Sequence, residues 1–168
     1  MILREFKDDD AEKIVKWIGS ERDFRLWSAD RYDNYPIKPD DMTAMYDKCG
    51  KNGTFFPMTA VEENVIGHLI LRYTDEECET VRFGFIIVDN ASRGRGAGRK
   101  MLELAKEYAV NTLNAKKLTL GVFDVNIAAL RCYRAAGFTE VVQDEEIYEI
   151  LGEKWKCIEM ECIPVKQF

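Results

Sequence analysis

The chain has one histidine, four prolines and no C-x-x-C pair. His68 alone is too little for a usual His-based zinc site, so no metal centre is expected. The five cysteines (Cys49, Cys78, Cys132, Cys157 and Cys162) are scattered and odd in number, which favours reduced thiols over a disulfide framework. A catalytic cysteine would need a partner base, and His68 is the sole imidazole. Cys132 falls in a helix-like run and reads as packed. No apolar run approaches the ~20 residues of a membrane span, and "MILREFKDDD" lacks the apolar stretch of a secretory signal. The expectation is a cytoplasmic chain with no membrane partner. Basic residues are in deficit, 24 Lys and Arg against 30 Asp and Glu, for a net charge of −6. That balance argues against nucleic acid, whose affinity rests on phosphate contacts, and is compatible with a cationic amine substrate.

What is present suits a globular domain. The 168 residues are 46% apolar and 32% charged, which predicts one domain over 1–168 with a real core. "ILREF" reads as a strand and "DDDAEKIVKWIG" as a helix with an acidic first turn. Residues 20 to 40 read as an irregular aromatic loop. "PDDMTAMYDKCG" is a second helix with proline at its start. "TFFPMTAVE" and "VIGHLILRY" form a hairpin through Glu63-Asn64. "TVRFGFIIVD" alternates as a strand should, and His68, mid-strand before it, reads as a packed residue. In "RKMLELAKEYAVNTL" the residues Met101, Leu104, Ala105, Tyr108 and Thr112 mark one helix face. "KKLTLGVFD" is a strand, "NIAALRCYRAA" a helix ended by Gly137, and the last thirty residues suggest a hairpin turning at Gly152. The order β-α-α-β-β-β-α-β-α-β-β predicts a mixed α/β fold with no internal repeat.

Positive charge gathers in one place. "SRGRGAG", Ser92 to Gly98, is followed by Arg99 and Lys100, between a strand and a long helix. The first amides of a helix lack internal partners and attract anions, and glycines let a ligand come close to them. Arg93, Gly94, Arg95, Gly96, Ala97, Gly98 and Arg99 therefore read as a phosphate cradle, with a bare Gly/Arg turn as the alternative. A Walker loop needs Lys-Ser/Thr where Arg99-Lys100-Met101 stand, and the dinucleotide fingerprint needs another glycine spacing.

Arg93, Gly96 and Gly98, after a strand ending "IIVD", resemble the acetyl-coenzyme A signature of the GCN5-related N-acetyltransferases. Downstream, "NIAALRCYRAAGF" matches that family's N-x-x-A-x-x-x-Y-x-x-x-G-F at Asn126, Ala129, Tyr133, Gly137 and Phe138. The resemblance implies the family fold, a mixed sheet splayed after its fourth strand, with acetyl-coenzyme A as co-substrate and direct transfer to an amine. It implies that Arg93 through Arg99 hold the pyrophosphate. Main-chain groups of Ile86, Ile87 and Val88 would pair with the pantetheine arm, and an amide near Ile86 would stabilise the oxyanion. Asn126 and Tyr133, seven residues apart, share a helix face at about 10 Å of rise. Asn126 would touch the cofactor arm, or serve as a helix N-cap, or both. Tyr133 would protonate the leaving thiolate, or be a packed helix tyrosine.

The family's glutamate base position is occupied by Arg82, and arginine cannot act as a base. Glu79, Glu77, Asp75, Glu145, Glu146 and Glu149 are substitutes to be weighed against an ordinary solvated surface. A missing base favours an α-amine, roughly 10–20% neutral at pH 7, or a small amine of low pKa, over a lysine amine at below about 0.1%. Phe24, Trp27, Tyr32 and Tyr35 either form the acceptor pocket, for a small-molecule or peptide amine, or cover the sheet. Two rival readings are a non-catalytic acyl-coenzyme A sensor and a phosphate-loop nucleotide binder. Exposed edge strands permit a homodimer.

Overall fold

The computed structural model describes residues 1–164. Eight strands form one sheet: β1 (Ile2–Glu5), β2 (Phe55–Val61), β3 (Val65–Tyr73), β4 (Thr80–Val88), β5 (Lys117–Phe123), β6 (Thr139–Glu140), β7 (Glu146–Ile150) and β8 (Glu153–Cys162). Their order is β1-β2-β3-β4-β5-β8-β6, and β7 also pairs with β8. Neighbours are antiparallel except β4 and β5. A parallel pair needs a crossover, and helix α4 (Ala97–Asn111) supplies it.

Helices α1 (Asp8–Ile14), α2 (Glu21–Ser28) and α3 (Pro39–Gly50) cover one face, where Ile14, Phe24, Met42 and Tyr46 pack on Ile70 and Ile87. Helices α4 and α5 (Ile127–Ala135) cover the other, where Met101, Leu102, Ala105 and Leu130 pack on Leu69, Leu71, Phe83 and Leu120. Strand β3 is buried from Val65 to Leu71, which explains why "VIGHLIL" is apolar almost throughout rather than alternating. Among the described residues no helix is long and apolar enough to cross a membrane.

Three expectations need correction. The stretch 20–40 is not wholly irregular, because α2 occupies Glu21–Ser28. Its start follows a local rule: the Ser20 hydroxyl accepts the Asp23 amide at 3.1 Å, a serine N-cap. The buried side of α4 is Met101, Leu102, Ala105 and Ala109, while Thr112 is exposed and Leu104 and Tyr108 are half-buried. An i, i+4 row of a small-residue helix lies flat on the sheet, so alanines rather than the larger Leu104 and Tyr108 take the closest contact. Finally, a short β6 at Thr139–Glu140 adds to β8 ahead of the Gly152 hairpin.

Two polar groups are buried between β2, β3 and the first helices. Asp10 is 3% exposed and receives Arg4 at 2.7 and 2.9 Å, the Lys7 amide at 2.9 Å and the Thr59 hydroxyl at 2.9 Å. Burial alone would raise its pKa, but the Arg4, Lys7 and Thr59 hydrogen bonds and the Arg4 charge outweigh it and lower the value. His68 shares a hydrogen bond with the Tyr46 hydroxyl at 2.7 Å, and burial pushes its pKa down to about 3. His68 is thus kept neutral in the fold but takes a proton below about pH 6.5 when unfolded. The unfolded state then binds more protons, so stability falls as pH drops from about 6.5 towards 3. Urea unfolding at pH 7, 6, 5 and 4 is expected to show a slope approaching ~1.4 kcal/mol per pH unit. His68→Gln should flatten that slope, and an unchanged slope would assign the acid sensitivity elsewhere.

Candidate active site

Strand β4 meets β5 at Thr80–Lys117, Val81–Leu118, Arg82–Thr119 and Phe83–Leu120, and no further. Beyond Phe83 the strands part, leaving the β5-facing backbone of Gly84 to Val88 without a sheet partner. On its other side β4 stays paired with β3, but Ile70 lies opposite Gly84 and His68 opposite Ile87. Phe85 and Ile86 together face Leu69, which is a β-bulge. Phe85 has φ 47°, a left-handed conformation unusual for a bulky side chain. Such a residue costs about 1–3 kcal/mol and persists where its surroundings hold it. Here the Phe85 ring packs with Trp27, Tyr32 and Tyr46 at centroid distances of 5.1, 5.7 and 6.3 Å.

A cavity of about 360 Å³ opens where the strands part, floored by Gly84, Phe85, Gly121 and Val122 and walled by Trp27, Met45, Phe123 and Tyr148. Of the four sequence-predicted aromatics, Trp27 lines this cavity. Phe24 and Tyr32 are core residues, and Tyr35 packs against them half-buried. Tyr32 stacks on Trp27 at 5.8 Å. Their packing positions both Trp27 and the bulge.

Arg82 projects into the cavity and crosses β5 to Glu159 on β8. Its Nη2 donates to Oε2 at 3.0 Å, and Nη1 donates to Oε1 in a second, shorter bond. The side chains are 26% and 19% exposed, so this two-toothed pair is partly shielded from water. Gly121 makes room for it: a Cβ there would lie 2.7 Å from Arg82 Nη2 and 3.2 Å from Cys157 Sγ. Glu159 went unnoticed in the sequence because nothing local marks it.

The carboxylates named from the sequence are mostly engaged. Glu79 pairs with Lys116 and Glu145 with Lys156. Asp75 receives the Glu79 and Thr80 amides at 3.0 and 3.1 Å, which fixes a turn and lowers its pKa, the Thr80 bonds leading. Glu146 accepts the Tyr148 hydroxyl at 2.7 Å and borders a second, more polar chamber continuous with the first. Neither Glu77 nor Glu149 borders either chamber.

The glycine stretch sits at the far end of β4. Gly94 and Gly96 have φ 74° and 80°, and a Cβ on either would meet nothing within 4 Å. Open space therefore lies in front of a left-handed backbone. The first backbone bond closing α4 runs from the Lys100 amide to Gly96 at 3.0 Å, so the amides of Ala97, Gly98 and Arg99 are free for a ligand. Arg93 is turned back onto the Val88 carbonyl at 3.1 Å and Arg99 onto Glu103 at 2.9 Å, whereas Arg95 and Lys100 have no ion-pair partner among the described residues. Gly98 has another role: a Cβ there would stand 3.2 Å from Cys132 Sγ on α5. Its absence lets α5 lie against the start of α4, bringing in the helix that carries Tyr133.

Asn126 caps α5, its Oδ1 accepting the Ala129 amide at 3.2 Å. Tyr133 is buried, and its hydroxyl has no hydrogen-bond partner among the described residues. Burial, with a smaller effect of Cys132, raises its pKa well above the ordinary tyrosine value. The group holds its proton throughout the working pH range.

Comparison with known proteins adds to this geometry. The sequence model of the acetyltransferase (GNAT) family matches residues 22–138. The chain belongs to the GNAT acetyltransferase family. An N-acetyltransferase 9-like protein of Nematostella vectensis is 25% identical over 89 residues, 52% of this chain and 45% of the relative, so the match spans less than half of that protein. The spermidine N-acetyltransferase of Vibrio cholerae, in complex with CoA and spermine, superimposes with TM-score 0.80 at 22% identity, over 96% of this chain and 94% of that one. A ribosomal-protein-S5-alanine acetyltransferase of Vibrio fischeri gives 0.76 at 16% identity, over 96% and 91%. At these identities the two structures share the GNAT fold with this chain, including the mixed sheet expected from the sequence.

Gly121→Ala tests the site's packing. The added methyl must displace the end of the Arg82 side chain from Glu159 or push Cys157 aside, and loss of this partly exposed pair costs up to about 1 kcal/mol. Urea unfolding of wild type and variant measures it, and an unchanged midpoint would show that the guanidinium is not held in place.

Proposed function

We propose that this GNAT protein is an acetyl-coenzyme A-dependent N-acetyltransferase that moves the acetyl group directly to a primary amine of a small molecule or peptide. The observation that carries the reading is the unpaired β4 edge from Gly84 to Val88, running from the cavity to the glycine cradle. Such an edge takes an extended amide-bearing ligand as an added strand. The pantetheine arm has that form, and the cradle at the edge's end suits a pyrophosphate. In this reading Ile86, Ile87 and Val88 offer main-chain groups to the arm. The amides of Gly94 to Arg99 hold the phosphates, with Arg95 and Lys100 adding charge.

The acceptor amine enters from the cavity, attacks the thioester carbonyl and passes through a tetrahedral oxyanion. In this reading an amide near Ile86, where the bulge interrupts the β3 ladder, donates to that oxyanion. Collapse of the intermediate breaks the C–S bond. Tyr133, protonated and shielded, gives its proton to the departing coenzyme A thiolate and is reprotonated, through water, by the proton that the attacking nitrogen releases, so amide and free thiol form with no net change at the tyrosine. The five free thiols suit a reducing compartment, and the cytoplasm is part of the proposal. The rival reading, a sensor that binds an acyl-coenzyme A without turnover, draws on Arg82 standing where the family base is expected.

Acetyl-coenzyme A at 100 times its dissociation constant adds about 2.7 kcal/mol, a rise in melting temperature of about 5–10 °C for a chain of this length. Gly96→Glu, which fills the cradle with a like charge, should abolish the rise while remaining folded. No rise in wild type at millimolar cofactor would remove the proposal. Tyr133→Phe should keep the rise yet lower kcat about 100-fold or more in a thiol-release assay over an amine panel. Cofactor binding with no thiol release from any amine would favour the sensor.

A further inference from the structure

The outer chamber holds more cation than its own carboxylates neutralise. Arg72 on β3 and Arg82 on β4 are direct cross-strand neighbours, both on the cavity face of the sheet. Like charges so placed repel, and a fold carries them where something compensates. Arg82 is compensated by Glu159. Lys117, also at the mouth, is compensated by Glu161 at 2.6 Å. Arg31 has only a loose contact with Asp30 at 3.8 Å. Glu146 is turned to Tyr148 and lies in no ion pair with an arginine. Arg72 has neither a hydrogen bond nor an ion pair from its guanidinium among the described residues, although it is half-buried between Ile70, Phe55 and Cys49 at the cavity wall. Burial first, then the charges of Arg82 and Arg31, weaken its hold on its proton, and the opposing influence of Cys49 and Glu159 offsets this only in part.

We propose that Arg72, seconded by Arg82 and Arg31, anchors an acid group of the acceptor, so that the favoured acceptor is a small amine carrying a carboxylate or phosphoryl group several bonds away. This rests on the acetyl-transfer reading of the same cavity. Two consequences follow from the same charges. A polyamine brings its second cation to the arginines and is disfavoured. An amine entering this field loses its proton more readily, which eases the lack of a glutamate at position 82. From the Arg72–Arg82 level to the bulge is roughly 10 Å along β4, part of which the arginine side chain spans. The longer members of an ω-amino acid series fit that separation.

The test measures kcat/KM by thiol release from acetyl-coenzyme A with ω-amino acids from β-alanine to 6-aminohexanoate. Each is compared with its amide and with the aminoalkylphosphonate of like length, and spermidine serves as the polycationic comparison. Each acid of four to six carbons is expected to exceed its amide at least tenfold, mostly through KM. That preference should collapse towards unity in Arg72→Met and survive in part in Arg72→Lys. The carboxylate and phosphonate arms tell which acid the anchor takes. Free Arg72→Met should melt at or above the wild-type temperature, since a half-buried like charge is gone. Amides or spermidine preferred over acids, or a preference untouched by Arg72→Met, overturns the anchor. So does a variant that melts well below wild type and loses acids and amides equally. Calorimetry of the CoA-loaded protein with 6-aminohexanoate and its amide separates the two readings. Selective acid binding without thiol release keeps the anchor and removes acetyl transfer, whereas equal binding removes the anchor.

Discussion

A backbone N–H or C=O that leaves a sheet must find water, a side chain or a ligand, and β4 puts the β5-facing groups of Gly84 to Val88, about every second residue, in that position on one edge. Everything around the site follows from keeping that edge open. If β5 stayed alongside β4 beyond Phe83, the gap would close and the cavity with it. Instead Gly121 gives Arg82 a path across β5 to Glu159, and the resulting ion pair bridges β4 to β8 at the level where the strands separate. The bulge at Phe85 reinforces the divergence, because an extra residue on one strand increases local twist. Its left-handed φ is tolerable because three aromatic neighbours grip the ring. Residues of α2 and α3, far from the glycine cradle in sequence, thereby help determine how the open β4 edge is presented.

The two ends of β4 were unequally legible in the sequence. At the cradle, function depends on backbone conformation, and backbone conformation leaves a local mark. Left-handed positions demand glycine at 94 and 96, a close helix approach demands it at 98, and a helix start selects Asn126. Such constraints sit within a few residues of one another and read directly. At the acceptor end the constraints are pairings across strands. Glu159 is 77 positions from Arg82 and becomes its partner only through the order β4-β5-β8. Likewise Arg72 meets Arg82 through the β3–β4 register. No window of sequence contains the first pair, and the second, though close in the chain, becomes a facing pair only once the β3–β4 register is known. Helix α2 was hidden differently: its aromatic residues suggested a binding loop, while Ser20 and Asp23 carried a cap signal that the aromatics outweighed.

Burial also divides the aromatic stretch by role. Phe24 is fully buried and Trp27 is not, although both lie on α2: i and i+3 positions are neighbours on one face, offset by about 60°, and that offset brings Trp27 to the border of the cavity while Phe24 stays in the core. A side chain that stacks on the wall of a site and another that holds the wall have the same composition signature. Their difference is one of register on a single helix.

Arginine at the position of a base looks like a loss, and for a reaction limited by general-base catalysis it is one. An amine can also be made nucleophilic by a field that disfavours its ammonium form, as burial and neighbouring cations do. The same cations then need an anion for stability, and one that arrives with the substrate costs the free protein its compensation. A half-buried, unpaired Arg72 beside Arg82 is the form such a compromise takes, with stability given up in the empty site to be regained on binding. The cofactor end shows the same economy. Its amides are unpaired and its glycines take up a left-handed φ without steric strain, so the empty cradle is held open by backbone geometry rather than by charge. On the proposed reading each end of β4 is thus left unsatisfied towards a different partner, an extended amide and phosphate at one and an acid at the other.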